Sequence, residues 1–154
     1  MEKMQRINNK KGFSLLEIAI VVLIIAVLAA IMLPGMVSAM NNGNVTSSIQ
    51  SIRSLQTASG QYYAANGGTY TGGTVGSISL ANLSAQGLLP AQAAGNNPFG
   101  GTFTVAPDAN GKSVDISLSK VPSTLQGQIT TAVANNTSVA ATYTAATQTW
   151  TAGF

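Results

Sequence analysis

One carboxylate stands at the start of a long apolar stretch, and it is the residue of this chain best placed to do chemistry. Glu17 is followed at once by Ile18–Leu33, a run of sixteen residues without a charge. A charged side chain inside a membrane helix costs about 3 kcal/mol, so such residues usually have a function. We therefore expect a functional role for Glu17, and the question is which cation it pairs with.

The remaining residues offer little material for catalysis. The chain has no cysteine and no histidine, and its only acids after residue 12 are Glu17, Asp108 and Asp115. Zinc–thiolate sites, disulfides and imidazole acid–base chemistry are therefore excluded. The segment Asp108–Gly111 faintly resembles a calcium loop, but it lacks the further acids such a site needs, and a plain turn is favoured. We predict no enzyme, no metal site and no cofactor.

The net charge of +3 belongs entirely to the first twelve residues. From residue 13 onward the three acids are balanced by three basic residues, Arg53, Lys112 and Lys120. A nucleic-acid footprint needs basic residues clustered on a folded face. Lys112 and Lys120 flank one predicted strand, but two lysines are more often solvating charges than a binding site. We predict no specific nucleic-acid site.

The apolar stretch is long enough to cross a membrane. As a helix, Phe13–Leu33 would be about 31 Å long, roughly one bilayer core. The basic residues before it favour a cytoplasmic start. It could be a plain membrane anchor, or a secretory signal peptide cleaved after Val37-Ser38-Ala39. The signal peptide is disfavoured because the apolar region is too long and Glu17 would have no purpose there.

Over residues 10–36 the chain resembles the type IV prepilins. Their signature is a basic leader ending in Gly, an aromatic or apolar residue, a Glu five residues into the mature chain, and an apolar helix. Lys10-Lys11-Gly12, Phe13 and Glu17 match it in order, and Pro34 stands where that family commonly has a proline. The resemblance implies that residues 1–12 are a leader, that prepilin peptidase cuts between Gly12 and Phe13, and that it methylates the new amine of Phe13.

Such a cut creates one positive charge close to Glu17. The amine of Phe13 would stay protonated near neutral pH. Pairing with Glu17, of the same chain or of a neighbour, would neutralise two charges that lipid penalises. The resemblance implies that pairing between neighbours sets the axial register as subunits join. We predict that Glu17 is needed for assembly and not for folding.

The helix should continue well beyond the apolar stretch. We expect residues 13–33 to form a transmembrane and filament-core helix, and residues 34–65 to form its amphipathic second half. Pro34 and Gly35 predict a kink between the two. Apolar residues then recur at helical spacing as far as Ala65, and Asn66-Gly67-Gly68 ends the helix; these residues are Val45, Ile49, Ile52, Leu55 and Tyr62.

We expect residues 66–154 to form a globular head. It should have a long loop at 66–100, followed by a sheet and carboxy-terminal region at 101–154. The loop should hold a short helix at Leu80–Gln86 and end in a tight turn at Asn97–Gly101. A second helix should open at Pro122 and place Leu125, Ile129 and Val133 on one side. Strands are expected at Thr102–Val105, Ser113–Ser119, Val139–Ala145 and Thr147–Thr151. The fold class is α+β, a long helix on a small antiparallel sheet.

The predicted head is also similar to type IV pilins, many of which close their carboxy-terminal region with a disulfide. This chain cannot, so packing must hold that region, and Trp150, Tyr143 and Phe154 are the expected anchors. The predicted helix at 122–134 and the twelve-residue leader favour the type IVb subclass. Phe13 favours type IVa, and both subclasses stay open.

Three functions are compared. The resemblance implies a structural subunit of a bacterial type IV pilus, inserted in the inner membrane as a precursor and joined by an assembly platform into a helical homo-oligomer on the cell surface. Adhesion, twitching motility, DNA uptake or conjugation would be properties of that fibre. The alternative is a pseudopilin of a type II secretion system, although Gln148–Phe154 lacks the acid of the calcium site that the major pseudopilin usually carries. For a membrane-anchored enzyme we find no catalytic constellation.

Overall fold

A computed structural model describes residues 12–72, 76–89, 95–135 and 140–154. The basic residues of the predicted leader and Val139 lie outside the described residues. The chain forms two compact units, one up to Ala39 and one from Met40. The elements are helix α1 (Leu15–Ala65), helix α2 (Leu80–Ala85), strand β1 (Phe103–Pro107), strand β2 (Val114–Leu118), helix α3 (Gln126–Ala134), strand β3 (Ala140–Thr144) and strand β4 (Thr149–Gly153).

Helix α1 begins in the first unit and ends in the second. Its last residue, Ala65, is the one that the spacing of apolar residues predicted. Pro34 and Gly35 both lie within α1, where Pro34 supplies no backbone N–H. The predicted kink at this position stays a prediction.

The second unit contains a four-stranded sheet in the order β1-β2-β4-β3, and every neighbouring pair is antiparallel. Alternate residues of β2 are buried, so that Val114, Ile116 and Leu118 point into the core. β4 follows the same alternation with Trp150 and Ala152. One face of the sheet is therefore apolar, and it needs a partner layer.

The second half of α1 supplies that layer. Its buried residues recur at intervals of three and four, a spacing that places them on one face of the helix. They share a single core with the inward side chains of β2 and β4. The buried residues of α1 are Val45, Ser48, Ile52, Leu55, Ala58, Ser59 and Tyr62. The predicted fold, a long helix packed on a small antiparallel sheet, is confirmed.

The start of α3 differs from the prediction. Pro122 was expected to open this helix, but α3 begins at Gln126, one turn later. Val121 donates its N–H to Gln148 O at 2.9 Å, and Leu125 then reaches back to Pro122 O at 3.0 Å in a separate turn. The chain around Pro122 is thus held beside the turn before β4, and the helix begins only beyond this segment, at Gln126.

Strand β4 is also shifted from the prediction, from Thr147–Thr151 to Thr149–Gly153. Residues 145–148 form a turn in which Gln148 donates its N–H to Ala145 O at 3.3 Å. Gln148 has a φ of 49°, which no strand residue adopts. The turn therefore takes the two positions, Thr147 and Gln148, that the alternation had assigned to the strand.

Strand β1 runs two residues further than predicted, to Pro107. Proline cannot donate to a strand ladder and is confined to edge strands and strand ends. β1 is an edge strand of this sheet, and Asp108 rather than Pro107 donates to Ser113 O, at 2.9 Å. The edge position explains why Pro107 is accommodated.

The carboxy-terminal strand is held by packing and hydrogen bonds. Trp150 is fully buried, and its Nε1 donates to Thr130 Oγ1 of α3 at 2.9 Å. Tyr143 donates its hydroxyl to Val121 O at 2.9 Å. The backbone of Phe154 exchanges two hydrogen bonds with that of Val114, both at 2.9 Å. These contacts join β3 and β4 to the rest of the head.

Candidate functional site at the amino-terminal helix

The helix α1 begins with a side-chain cap. Gly12, Phe13 and Ser14 are not helical, and α1 starts at Leu15. Ser14 Oγ accepts a hydrogen bond from the N–H of Leu16 at 3.3 Å, and Ser14 O accepts one from Ile18 at 3.2 Å. Ser14 therefore occupies the N-cap position, where a serine hydroxyl satisfies one of the free N–H groups of the first turn.

Glu17 lies in the first turn of α1 and is exposed to solvent. The free N–H groups of a helix start carry partial positive charge, which stabilises a carboxylate at this position. Phe13 precedes the helix, so the four-residue separation of Phe13 and Glu17 is not one helical turn in this structure. The structure thus places both residues at one helix end without giving them the spacing of a helical ion pair.

The bond predicted to be cut lies in an open, non-helical segment. A Cβ added to Gly12 would meet no atom within 4 Å, and Phe13 is 79% exposed. No fold constraint of the described residues therefore requires glycine at position 12.

The apolar side chains that follow are exposed all around the helix. Every residue from 12 to 40 is exposed, and the apolar residues on different sides of α1 include Val21, Leu23 and Ile25. Soluble monomers rarely expose contiguous apolar patches of more than a few hundred Å². A helix that is apolar on all sides requires a membrane or other helices around it.

Length and composition agree with this requirement. In the part of the chain that the structure describes, α1 is long and apolar enough to cross a membrane, and none of its most apolar 18-residue segment is buried. Pro34 and Gly35, the predicted kink residues, lie in this exposed portion.

The lysines considered for DNA binding lie apart along the chain. Lys112 comes before β2 and Lys120 comes after it, at opposite ends of the strand. Lys120 has a φ of 58° and lies in the bend that follows β2. The backbone positions of the two lysines are thus separated by the full length of β2.

The segment Asp108–Gly111 is the turn between β1 and β2. Gly111 donates its N–H to Asp108 O at 2.9 Å, and Gly111 has a φ of 65°, which glycine adopts without strain. The Asp108 carboxylate accepts from the backbone N–H of Asn110 at 3.5 Å and from the Asn110 side chain at 3.2 Å. The carboxylate thus stabilises the turn locally, as in other Asx turns.

Asn97 was expected only as part of a turn, but its side chain is a central contact of the head. It is buried, and its Oδ1 accepts from the N–H groups of Phe99 and Gly101 at 2.9 and 3.0 Å. Its Nδ2 donates to Ser119 O at 2.7 Å, 22 residues away. The preference of asparagine for turns was visible in the sequence, whereas the bond to Ser119 depends on tertiary structure.

The comparisons with known proteins agree with the geometry of the helix start. Residues 7–33 match the model of the prokaryotic N-terminal methylation motif. No curated protein and no solved structure matches the chain. The chain therefore carries the class III signal typical of type IV pilins and pseudopilins, on a pilin-like α+β fold.

The motif has implications by family inference. It implies processing by prepilin peptidase and assembly into a filament. Together with the apolar helix it indicates a precursor held in the membrane. Proteins of this kind are generally structural rather than enzymatic.

Proposed function

We propose that this protein is a structural subunit of a bacterial type IV pilus. The observation that carries the proposal is the first unit, in which an apolar helix is exposed on every side and has a single carboxylate, Glu17, in its first turn. Such a helix is stable in lipid as a precursor and among other copies of itself in a fibre. The head would then be the part that each subunit presents outside the membrane.

Removal of residues 1–12 makes the change between these two environments possible. The leader carries the whole net charge of +3, and the chain from residue 13 has equal numbers of acidic and basic side chains. The leader would keep the helix start in the cytoplasm. Its loss would leave the methylated amine of Phe13 as the one new charge at the start of the apolar segment.

Glu17 would act after this cut, by pairing with the Phe13 amine of a neighbouring subunit. In the precursor, the start of α1 already offers the carboxylate a favourable electrostatic environment. In the fibre, an unpaired carboxylate among apolar helices would be costly, so a subunit entering at the wrong height would be rejected. Glu17 would thus determine the axial register of assembly.

Intact-mass analysis of sheared surface fibres tests the proposal. The expected chain begins at an N-methylated Phe13. A chain beginning at Met40 would contradict it, because that product comes from cleavage after Val37-Ser38-Ala39 by a signal peptidase. Electron microscopy of the same cells should show long fibres outside the cell. Short fibres confined to the periplasm would instead support the pseudopilin of a type II secretion system.

A further inference from the structure

Two tyrosines form a half-exposed ring pair at the end of α1. The ring centroids of Tyr63 and Tyr70 are 4.8 Å apart, and the ring planes are inclined by 44°. Tyr63 belongs to the last turn of α1, and Tyr70 belongs to the loop that follows it. Both side chains are partly accessible to solvent. The distance is within the range of directly interacting aromatic side chains.

The hydroxyl groups distinguish this pair from the other tyrosines of the chain. Tyr62 is buried and donates to Gly76 O, while Tyr143 donates to Val121 O. The hydroxyls of Tyr63 and Tyr70 make no hydrogen bond with any residue that the structure describes. The chain thus holds two adjacent phenols whose rings touch and whose hydroxyl groups are free to react.

We propose that Tyr63 and Tyr70 are a site of oxidative cross-linking that forms an intramolecular dityrosine. The reactant that it requires is a one-electron oxidant, such as a haem peroxidase supplied with hydrogen peroxide. Coupling joins the carbon atoms beside the two hydroxyl groups, and the 4.8 Å separation of the ring centroids already places the two rings next to each other. Tyr62 is buried, and among the described residues Tyr143 has no ring contact with another tyrosine.

Atoms and electrons balance in this coupling. Each phenol loses one electron and one proton to give a neutral tyrosyl radical. The two radicals couple through a new C–C bond, and the hydrogen on each coupling carbon moves to the oxygen of its own ring, which restores both aromatic rings. Hydrogen peroxide accepts the two electrons and two protons and becomes two water molecules.

The bond would add a covalent restraint to a loop in which Tyr70 is held by two backbone hydrogen bonds, with Gly111 and Ile78. Tyr70 donates its N–H to Gly111 O at 3.0 Å, so the loop already touches the turn between β1 and β2. A covalent link from Tyr63 to Tyr70 would tie α1 to the loop residue that is hydrogen-bonded to that turn. It would give this cysteine-free chain a covalent restraint of the kind that disulfides provide elsewhere.

The hydroxyl group of Tyr70 stays protonated at neutral pH, and its pKa is raised. Burial, and secondarily the neighbouring Tyr63, raises the pKa of Tyr70 above its usual value near 10. Oxidation therefore has to remove a proton together with the electron, and we expect the coupling yield to be insensitive to pH near neutrality.

Peroxidase treatment of the full chain in detergent micelles tests the proposal. The expected product is a monomer lighter by two hydrogen atoms, with blue dityrosine fluorescence and a cross-linked peptide joining Tyr63 to Tyr70. Peptide mapping is needed because Met32, Met36 and Met40 are exposed and will gain oxygen as sulfoxides. N-acetyltyrosine in a parallel reaction shows that the oxidant is active.

Matched variants separate the site from the rest of the chain. Tyr63→Phe and Tyr70→Phe should each abolish the monomeric product, while Tyr143→Phe should leave it unchanged. Phenylalanine keeps the ring contact, and circular dichroism will show that each variant is folded. No cross-link while N-acetyltyrosine is consumed, coupling to Tyr62 or Tyr143, or a product of doubled mass only would each overturn the proposal.

Discussion

The two units of the chain use apolar residues in opposite ways. In the first unit, every described residue is exposed, although most of the side chains are apolar. In the second unit, apolar residues at intervals of three and four meet the inward face of the sheet and are buried with it. The difference lies in both composition and periodicity: the first half of α1 is apolar on all sides, whereas the second half has polar residues between apolar ones at helical spacing and can pack one face on a sheet.

This contrast separates assembly from folding. The second unit buries its apolar side chains against one another, so we expect its stability to depend on the packing of its own core. The described apolar side chains of the first unit are not buried within the chain. We therefore expect changes there to affect cleavage and assembly while the head remains folded. Each prediction that follows tests one side of this division.

The largest expected effect is the loss of filaments in Glu17→Val. The variant should insert in the membrane and fold its head normally, because Glu17 is exposed and is not part of the core. It should fail to assemble, since no carboxylate would remain to meet the Phe13 amine. Fibre yield by electron microscopy and membrane content by immunoblot measure the two outcomes.

Ile18→Val is the matched control for Glu17→Val, because it changes the next residue of the same exposed helix without touching a charge. It should assemble normally. Fibre yield from Glu17→Val equal to that of the control would remove the register role of this carboxylate.

A pair of glycine substitutions tests both units at once. Gly12→Val should block leader removal without affecting the fold, because a Cβ at Gly12 has open space around it. Gly101→Val should do the reverse, because a Cβ there would clash with the backbone oxygen of Ser119. We expect it to cost about 3 kcal/mol or more, since the backbone must move.

Intact mass reports processing for both glycine variants, and thermal unfolding by circular dichroism reports their stability. Any Gly101→Val protein that escapes degradation should have lost its leader. A processed Gly12→Val, or an unfolded one, would contradict the separation between the units.

Trp150 contributes to the stability of the head through both packing and a hydrogen bond. Trp150→Ala should cost about 3 to 5 kcal/mol, because it removes the largest fully buried side chain. Trp150→Phe should cost about 1 to 2 kcal/mol, since it keeps most of the packing and loses the hydrogen bond to Thr130. Equal losses in the two variants, measured by chemical unfolding in detergent, would show that the hydrogen bond matters more to stability than the packing of the indole ring.

The smallest effect is a gain in stability. Ser48 and Ser59 are buried in α1, and their hydroxyls have no hydrogen-bond partner in the described part of the chain. Replacing either with alanine should stabilise the head by about 1 kcal/mol, because an unsatisfied hydroxyl is removed. Ser54→Ala is the control, because Ser54 is exposed on the same helix and its hydroxyl already has a partner, Gln50 O; this variant reports the change in helix propensity together with the loss of a satisfied hydroxyl. A gain no larger than that of the control would contradict the explanation.

Helices and strands with regular apolar spacing could be predicted from the sequence. The end of α1 at Ala65, the alternation of β2 and the short helix α2 follow from local patterns. The start of α3 and the position of β4 did not, because both depend on the hydrogen bond from Val121 to Gln148, which are distant along the chain. A pattern within a window of about ten residues contains no information about such a contact.

The candidate site was predictable for a different reason. Gly12, Phe13 and Glu17 could be proposed from the sequence because the roles predicted for them depend on order along the chain and on an apolar helix behind them, both of which are local properties. By contrast, the Tyr63–Tyr70 contact and the bond from Asn97 to Ser119 join residues that no spacing rule relates.

The sequence by itself determined that this chain has an apolar helix with one carboxylate at its start, and that its second half is amphipathic. These are consequences of residue order and of the 3.6-residue period of the helix. Only the tertiary structure decided which side chains the head buries, where β4 begins and which phenols meet. Those outcomes depend on how distant segments pack, and packing is a property of the whole fold.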